Sequence, residues 1–446
     1  MRGGEFVTGR LPSRSPMLRV LAMRDFRLLL GGTSTSILGD QFYLIATPWL
    51  VLKLTDDPLA LGFIIALGGI PRAMFMLLGG AVTDRFSPRL ILIVSDILRM
   101  VLTALMALAV ITGNVQVWML YAVSLGFGLV AGFAIPAGNS IVPMLVAEED
   151  LQAGNSIILG TTQLGGFIGP TLAGLLIGGF SNSAVGIGLA FAVDAVTFAV
   201  SAAAILRMHP VRKRSLAGGS SPRKGIWGSI LTGMKFLWKD GAMRTMFLAI
   251  TAVNFLIIGP ALVGIPVLAE RYLPEGALAF GLLVSGLAGG NLVGYLSAGQ
   301  LPRPGGKVIR RLLLAGMFAF GLAIASLGFF RLTAVLLIIV FLLGLGNGYV
   351  TILVLTWIQS RTPREMLGRM MSMLMLTTSG LSPVSQAISG ALIKWSITGL
   401  FFLAGGGLIL VTLWTAFQPA LGIISEELSE NPAETESGSV TREFDI

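Results

Sequence analysis

The chain has 446 residues, of which 54% are hydrophobic and only 12% charged, with a formal net charge of +9 and a mean hydropathy of +0.85. Soluble domains carry about a quarter charged residues, so this composition excludes a soluble fold and points to a membrane protein with many spans. The sequence contains no cysteine and one histidine, His209, which excludes disulfides, thiolate chemistry and a multi-histidine metal site; no metal or organic cofactor is expected. No stacking motif or basic recognition helix accompanies the positive charge, so no nucleic-acid partner is expected.

Residues 1–23 are polar and basic, with Arg2, Arg10, Arg14 and Arg19 and two prolines, and read as a flexible cytoplasmic arm. They lack the short apolar core and small-residue cleavage site of a signal peptide. Apolar stretches of membrane-spanning length then recur. Six predicted helices cover 26–54, 58–82, 90–112, 115–135, 151–178 and 184–206. A polar break at 207–241 follows, and six more cover 244–268, 277–298, 308–330, 332–355, 367–394 and 397–418. The expected organisation is a six-helix bundle at 24–206, a cytoplasmic linker at 207–241, a second bundle at 242–418 and an acidic, disordered tail at 419–446. Within the linker, Ile230, Leu231, Met234 and Leu237 recur at three-and-four spacing between Trp227 and Trp238, which predicts an amphipathic helix on the membrane surface.

An even number of spans puts both termini on one side. Of the 31 Lys and Arg residues, only Lys53, Arg271, Arg331 and Lys394 fall in the loops opposite the termini, and only Arg72 and Arg99 within helices. The rest lie on the terminal side, which makes that side cytoplasmic. One terminal-side loop dissents: Glu148, Glu149 and Asp150 have no basic neighbour.

The two halves resemble each other. Residues 141–178 align without gaps on 357–394, pairing Ser156 with Ser372, Thr161 with Thr377, Thr162 with Thr378, Glu149 with Glu365 and Gly174 with Gly390. Such a repeat predicts a pseudo-two-fold axis with a cavity between the bundles. The fold class is therefore an all-α membrane protein of twelve transmembrane helices in two six-helix, pseudo-symmetric bundles.

At the junction of the second and third predicted helices stand Gly80, Asp84, Arg85 and Arg89. This spacing resembles the loop between the second and third helices of the major facilitator superfamily. The family's second glycine is here Ser87, and its next basic position is Pro88. Further stretches are similar to one branch of that family, the bacterial drug and siderophore exporters that include macrolide-efflux and enterobactin-exporter proteins: Gly39 and Asp40 with Pro48, Asp96 with Arg99, Pro136 through Pro143, Asp194 through Phe198, and Gln359 through Arg369. Gly165, Gly169, Pro170 and Gly174 resemble the antiporter motif of the fifth helix, with Ser156 standing where the family has another glycine. Small residues there permit close helix crossing; in the family the motif implies export.

Ionisable groups inside spans need a reason. Asp40 lies mid-helix with no basic residue one turn away and is the candidate proton carrier; a structural aspartate at a kink beside Gly39 is the alternative. Arg72 follows Pro71 deep in the second helix and could neutralise Asp40 or meet an anionic ligand. Asp194 is a lesser coupling candidate. Asp96 and Arg99 share a face and read as an ion-pair network with Asp84, Arg85 and Arg89. The resemblance implies that the loop aspartate faces the start of the eleventh helix at Gly368, forming a cytoplasmic latch. It also implies a cavity at the first, fourth, seventh and tenth helices, whose polar and aromatic residues include Gln41, Tyr43, Asn254, Phe255, Asn347, Tyr349 and Trp357, with Gln163 and Gln386 joining from the fifth and eleventh.

The resemblance implies a secondary transporter rather than an enzyme: a monomer in the bacterial inner membrane, exporting amphipathic drug-like or siderophore-like molecules in exchange for protons. Uptake, or transport of a lipid or dedicated metabolite, is the alternative on the same fold. No Walker A pattern occurs, so ATP is not the direct energy source.

Overall fold

The computed structural model describes residues 15–180, 182–209, 226–300, 306–363 and 366–429, apart from the side chains of 77–85, 226–232, 368 and 428–429. A short helix α1 (Pro16–Ala22) precedes the spans. The first half holds α2 (Arg24–Thr55), α3 (Pro58–Arg85), α4 (Pro88–Ile111), α5 (Val117–Leu145), α6 (Leu151–Gly178) and α7 (Ser183–Leu206). The linker helix α8 (Ile226–Lys239) leads into the second half. There α9 (Gly241–Gly259) and α10 (Ile265–Tyr272) form one span, followed by α11 (Ala277–Gln300), α12 (Gly306–Leu327) and α13 (Thr333–Arg361). Helices α14 (Leu367–Ser379) and α15 (Ser382–Ile393) form the next span, then α16 (Ile397–Ala416) and a final short α17 (Ala420–Ser429).

Local chemistry sets several boundaries. Proline opens α4 at Pro88, where a missing N–H costs nothing. The Asn182 side chain caps α7 by accepting the Ala184 N–H at 3.0 Å, and Asp240 caps α9 by accepting those of Ala242 and Met243 at 2.9 and 3.2 Å. Helix α2 stops at Asp56, whose φ of 47° is left-handed, a conformation that Asp tolerates better than most residues.

Nine helices among the described residues are long and apolar enough to cross a membrane by composition alone. The other three spans are α2, α6 and the α14–α15 pair. Helices α2 and α6 are rich in Gly, Ser and Thr, and the eleventh span is broken between Ser379 and Ser382. That span was expected to be continuous; Gly380 and Pro383 interrupt it. The seventh is interrupted too, by a π-turn at Pro260–Gly264, because proline cannot complete the α-helical ladder.

The halves pack alike. In the first, α3 lies on α5 and α4 on α7; in the second, the counterparts α11 on α13 and α12 on α16. Between them, α6 crosses α11 and α3 crosses α15, again a matched pair. Both crossings use glycine. A Cβ on Gly174 would sit 2.6 Å from the Ala277 carbonyl, and one on Gly390 would sit 2.6 Å from that of Pro58. Backbones this close gain dispersion contacts in lipid, where no hydrophobic force drives association.

The apolar core shows which end is closed. Away from the termini it is continuous across the halves, joining Trp49 and Leu61 to Leu268, Phe280 and Leu400. Toward the terminal end it splits in two: Phe26, Ile93, Ile141 and Ile205 in the first half, and Met243, Phe247, Trp357 and Met370 in the second. The cavity borders the first of these cores, at Leu29, Ile141 and Ile205.

Two segments expected to be unstructured are partly helical. The arm contributes α1, where Val20 is fully buried and Arg19 pairs with Asp150 at 2.6 Å and Glu149 at 3.7 Å. That contact explains the acidic loop that lacked a basic neighbour in sequence. The tail contributes α17, with Leu421, Ile424 and Ser425 buried. In the linker, Ile226–Lys239 is helical, and Leu237 joins the core beside α9 and α14.

Candidate functional site

A cavity of about 710 Å³ runs from mid-span toward the terminal end. Most of its wall is first-half: Asp40 and Tyr43 from α2, Arg72 from α3, Arg99 from α4 and Phe127 from α5, with Gln386 of α15 reaching in from the second half.

Its centre is ionic. The Arg99 guanidinium lies 3.9 Å from the Asp40 carboxylate and packs over the rings of Phe127 and Phe198, at 5.8 and 5.5 Å. Asp96, one turn before Arg99, accepts a 2.7 Å hydrogen bond from the Ser201 hydroxyl of α7. Asp194, also on α7, is fully buried, and neither carboxylate oxygen has a hydrogen-bond partner among the described residues. It lies within electrostatic reach of Asp40 and Arg99. Gly39 lets α2 come this close: a Cβ there would lie 2.6 Å from the Asp194 carboxylate and collide with Thr197. Among the described residues Asp40 alone is in ion-pair range of Arg99, with Asp96 and Asp194 within electrostatic reach.

These placements correct two expectations. The basic partner of Asp40 is Arg99, from another helix; Arg72 makes no ion pair with it and instead faces the cavity. The proposed network of Asp96 and Arg99 with Arg89 does not form, because Arg89 donates to the carbonyls of Ile205 and Leu206 at the end of α7, at 3.0 and 2.7 Å. The side chains of Asp84 and Arg85, with Gly80 and Gly368, lie outside the described residues.

Of the expected cavity residues, Tyr43 and Gln386 line it, Tyr43 stacked on Phe127 with ring centroids 4.1 Å apart. Others have different partners. The Gln41 amide bonds its own helix at Ile37, and its stem packs on Gly169. Asn254 bonds Ile250, Asn347 bonds Asn291 on the neighbouring α11, and the Phe255 carbonyl accepts from Ser385. Trp357 is buried, and its indole N–H donates to Glu427 at 2.8 Å, which removes it from the cavity. Gln163 and Tyr349 are half-buried and absent from this cavity wall. The antiporter-like residues form a spine: Gly165 meets Ile37, Gly169 meets Gln41, and Gly174 with Pro170 meets α11 at Ala277 and Gly281.

The closed end carries a feature that sequence reasoning missed. Lys53 pairs with Glu270 at 3.4 Å, Arg271 with Asp56 at 2.7 Å and Lys394 with Asp57 at 3.1 Å, each pair joining the two halves. The signal was present, since these are three of the four basic residues on that side.

The paired crossings, broken spans and central cavity are those of a secondary transporter. Residues 29–387 match the Major Facilitator Superfamily model, and the chain belongs to that family of multi-pass membrane transporters, which carry small molecules. Among its relatives, an uncharacterized MFS-type transporter of Sinorhizobium fredii is 27% identical, covering 88% of this chain and 94% of the relative. The multidrug efflux pump Tap of Mycolicibacterium fortuitum is 24% identical over 85% of this chain and 89% of its own length. The enterobactin exporter EntS of Escherichia coli is 24% identical over 73% and 74%. Solved structures agree in fold: a peptide transporter POT superposes with a TM-score of 0.67 at 16% identity, covering 92% of this chain and 99% of that one, and the nucleoside transporter NupG with 0.61 at 13%, covering 90% and 98%.

Proposed function

We propose that this protein is a proton-coupled exporter of amphipathic small molecules, drug-like or siderophore-like, acting as a monomer in the bacterial inner membrane with both termini in the cytoplasm. The observation that carries the reading is the Asp40–Arg99 pair at the cavity wall, with Asp96 and the buried Asp194 within electrostatic reach of it. An ionised carboxyl in a span must be paired, hydrogen-bonded or protonated, and one guanidinium cannot serve three.

Asp40 is the one that faces the cavity most openly, with 41% of its side chain exposed. A proton arriving there cancels its charge and frees Arg99, which has Asp96 and Asp194 within electrostatic reach as alternative partners. The pairing of Arg99 is thus the element that proton load switches. The names of two relatives, a multidrug efflux pump and an enterobactin exporter, support export as the direction. The distribution of basic residues supports the cytoplasmic location of the termini, and the cavity then faces the cytoplasm, ready to load.

The test is efflux of a panel of dyes and antibiotics from cells overexpressing the protein, with and without a protonophore. Efflux that the protonophore abolishes supports the reading; efflux that persists unchanged removes proton coupling from it.

A further inference from the structure

Arg72 sits near the middle of α3, roughly 20 Å from either end at 1.5 Å per residue. Its side chain faces the cavity, and it makes no ion pair or hydrogen bond among the described residues. The charge it feels is a like one, that of Arg99. Asp40 is paired with Arg99 and Asp96 accepts from Ser201, so among the described charged groups on the cavity wall Arg72 is the one left without a partner. On the second half's side, Gln386 is 3% exposed, lines the same cavity, and its side-chain oxygen has no partner among the described residues. Each group forgoes a hydrogen bond that a ligand can restore.

Their separation follows from the helix crossing. Gly69, one turn from Arg72, packs on Pro383, one turn from Gln386, and Gly62 packs on the Gln386 carbonyl. Because α3 and α15 run in opposite directions, Arg72 lies on the terminal side of this contact and Gln386 on the far side. They are roughly 10 Å apart along the crossing. Between them the wall is Ile65, Gly68 and the stacked Tyr43 and Phe127.

We infer that Arg72 and Gln386 form a two-point recognition site for an amphipathic anion: a carboxylate or comparable monoanion held by the Arg72 guanidinium, an apolar or aromatic body against Tyr43 and Phe127, and an N–H or O–H donor given to Gln386. This deepens the exporter reading by naming the substrate class, and rests on it only for the direction of transport. Arginine is suited to the role because its planar fork bonds a carboxylate twice. A ligand held by α3 on one half and α15 on the other bridges the two bodies that must move, so its occupancy is sensed by both.

The experiment is equilibrium binding of the fluorescent 6-hydroxy-2-naphthoic acid, which carries a carboxylate and an O–H donor at opposite ends of an aromatic body, against its neutral methyl ester. The protein is held in phosphatidylcholine nanodiscs. The acid is expected to bind at least about tenfold more tightly than the ester, as loss of one charge-assisted contact implies. Arg72→Gln is expected to erase that preference, and an unchanged thermal unfolding midpoint shows that the variant is folded. Arg72→Lys should retain part of it, and Gln386→Leu should weaken acid and ester alike. Competition by phosphatidylglycerol that requires Arg72 keeps the anion site and makes a lipid its occupant; no competition keeps it for a dissolved acid. Equal binding of acid and ester by the wild type, or an undiminished preference in Arg72→Gln, overturns the inference. Neither outcome depends on transport, so a failure of proton-driven export is read separately.

Discussion

Arg271 holds Asp56 twice across the boundary between the halves: its Nη2 donates to the backbone carbonyl at 2.9 Å and to the carboxylate at 2.7 Å. With Lys53–Glu270 and Lys394–Asp57 it forms a three-point latch on the end away from the termini. The latch has to open for the cavity to reach the other side. Each exposed pair contributes at most about 1 kcal/mol, or about fivefold in population. Arg271→Ala should therefore raise, by up to about fivefold, the labelling of an introduced Ser36→Cys thiol by an impermeant reagent added at that end. The chain's own lack of cysteine makes the readout clean. Unchanged labelling in a variant lacking all three pairs would show that the apolar core alone keeps this end shut.

The Lys394–Asp57 pair of this latch is expected to ignore physiological pH. Burial works against ionisation of Asp57, but the Leu59 N–H bond and Lys394 outweigh it, and its carboxyl is held below the ordinary range. A lowered carboxyl contributes stability above its ordinary value and loses it only as pH falls through the lowered one. Labelling of the same reporter should therefore not respond to pH between about 5 and 8 through this pair. A step in that range abolished by Asp57→Asn would contradict the assignment.

Gly39 is expected to tolerate no side chain. A methyl group there meets Asp194 and Thr197, and forced repacking of this kind costs about 1–3 kcal/mol. Gly39→Ala should lower the thermal unfolding midpoint of the detergent-solubilised protein and reduce transport together. A variant as stable and active as the wild type would mean that α2 and α7 do not approach this closely.

At the terminal end, Arg361 bonds Asp240 at 2.7 Å, reaches Glu427 of α17 and stacks on Trp357. Asp240 is held below the ordinary carboxylate range: burial opposes its charge, but Arg361 and the helix N–H groups prevail. Arg361→Ala should release α17, read as faster proteolysis within 420–429 with the spans still protected. Equal proteolysis would assign the docking of α17 to Leu421 and Ile424 alone.

Much of this architecture is legible from sequence because lipid imposes simple rules. Span length, the bias of basic residues and the 216-residue offset between Gly174 and Gly390 give the twelve helices and their two-fold. The paired crossings then put those two glycines in equivalent places. The site was only partly legible. Asp40, Asp194 and Arg99 stand out as charges inside spans, but their partnership joins residues far apart in the chain, and no local spacing reports it. Trp357 has the appearance of a cavity aromatic until its partner, Glu427, is found in a tail whose acidity suggested disorder. The breaks at Pro260 and Pro383 were hidden because proline in a membrane helix marks either a bend or a rupture, and neighbouring helices decide which.

The central claim is that protons move substrate through the Asp40–Arg99 site. Proteoliposomes loaded with an exported dye and given an imposed pH gradient test it most directly, comparing wild type with Asp40→Asn at matched insertion. The account predicts gradient-driven dye movement by the wild type and none above leak by the variant. Equal gradient-driven movement by both would contradict it.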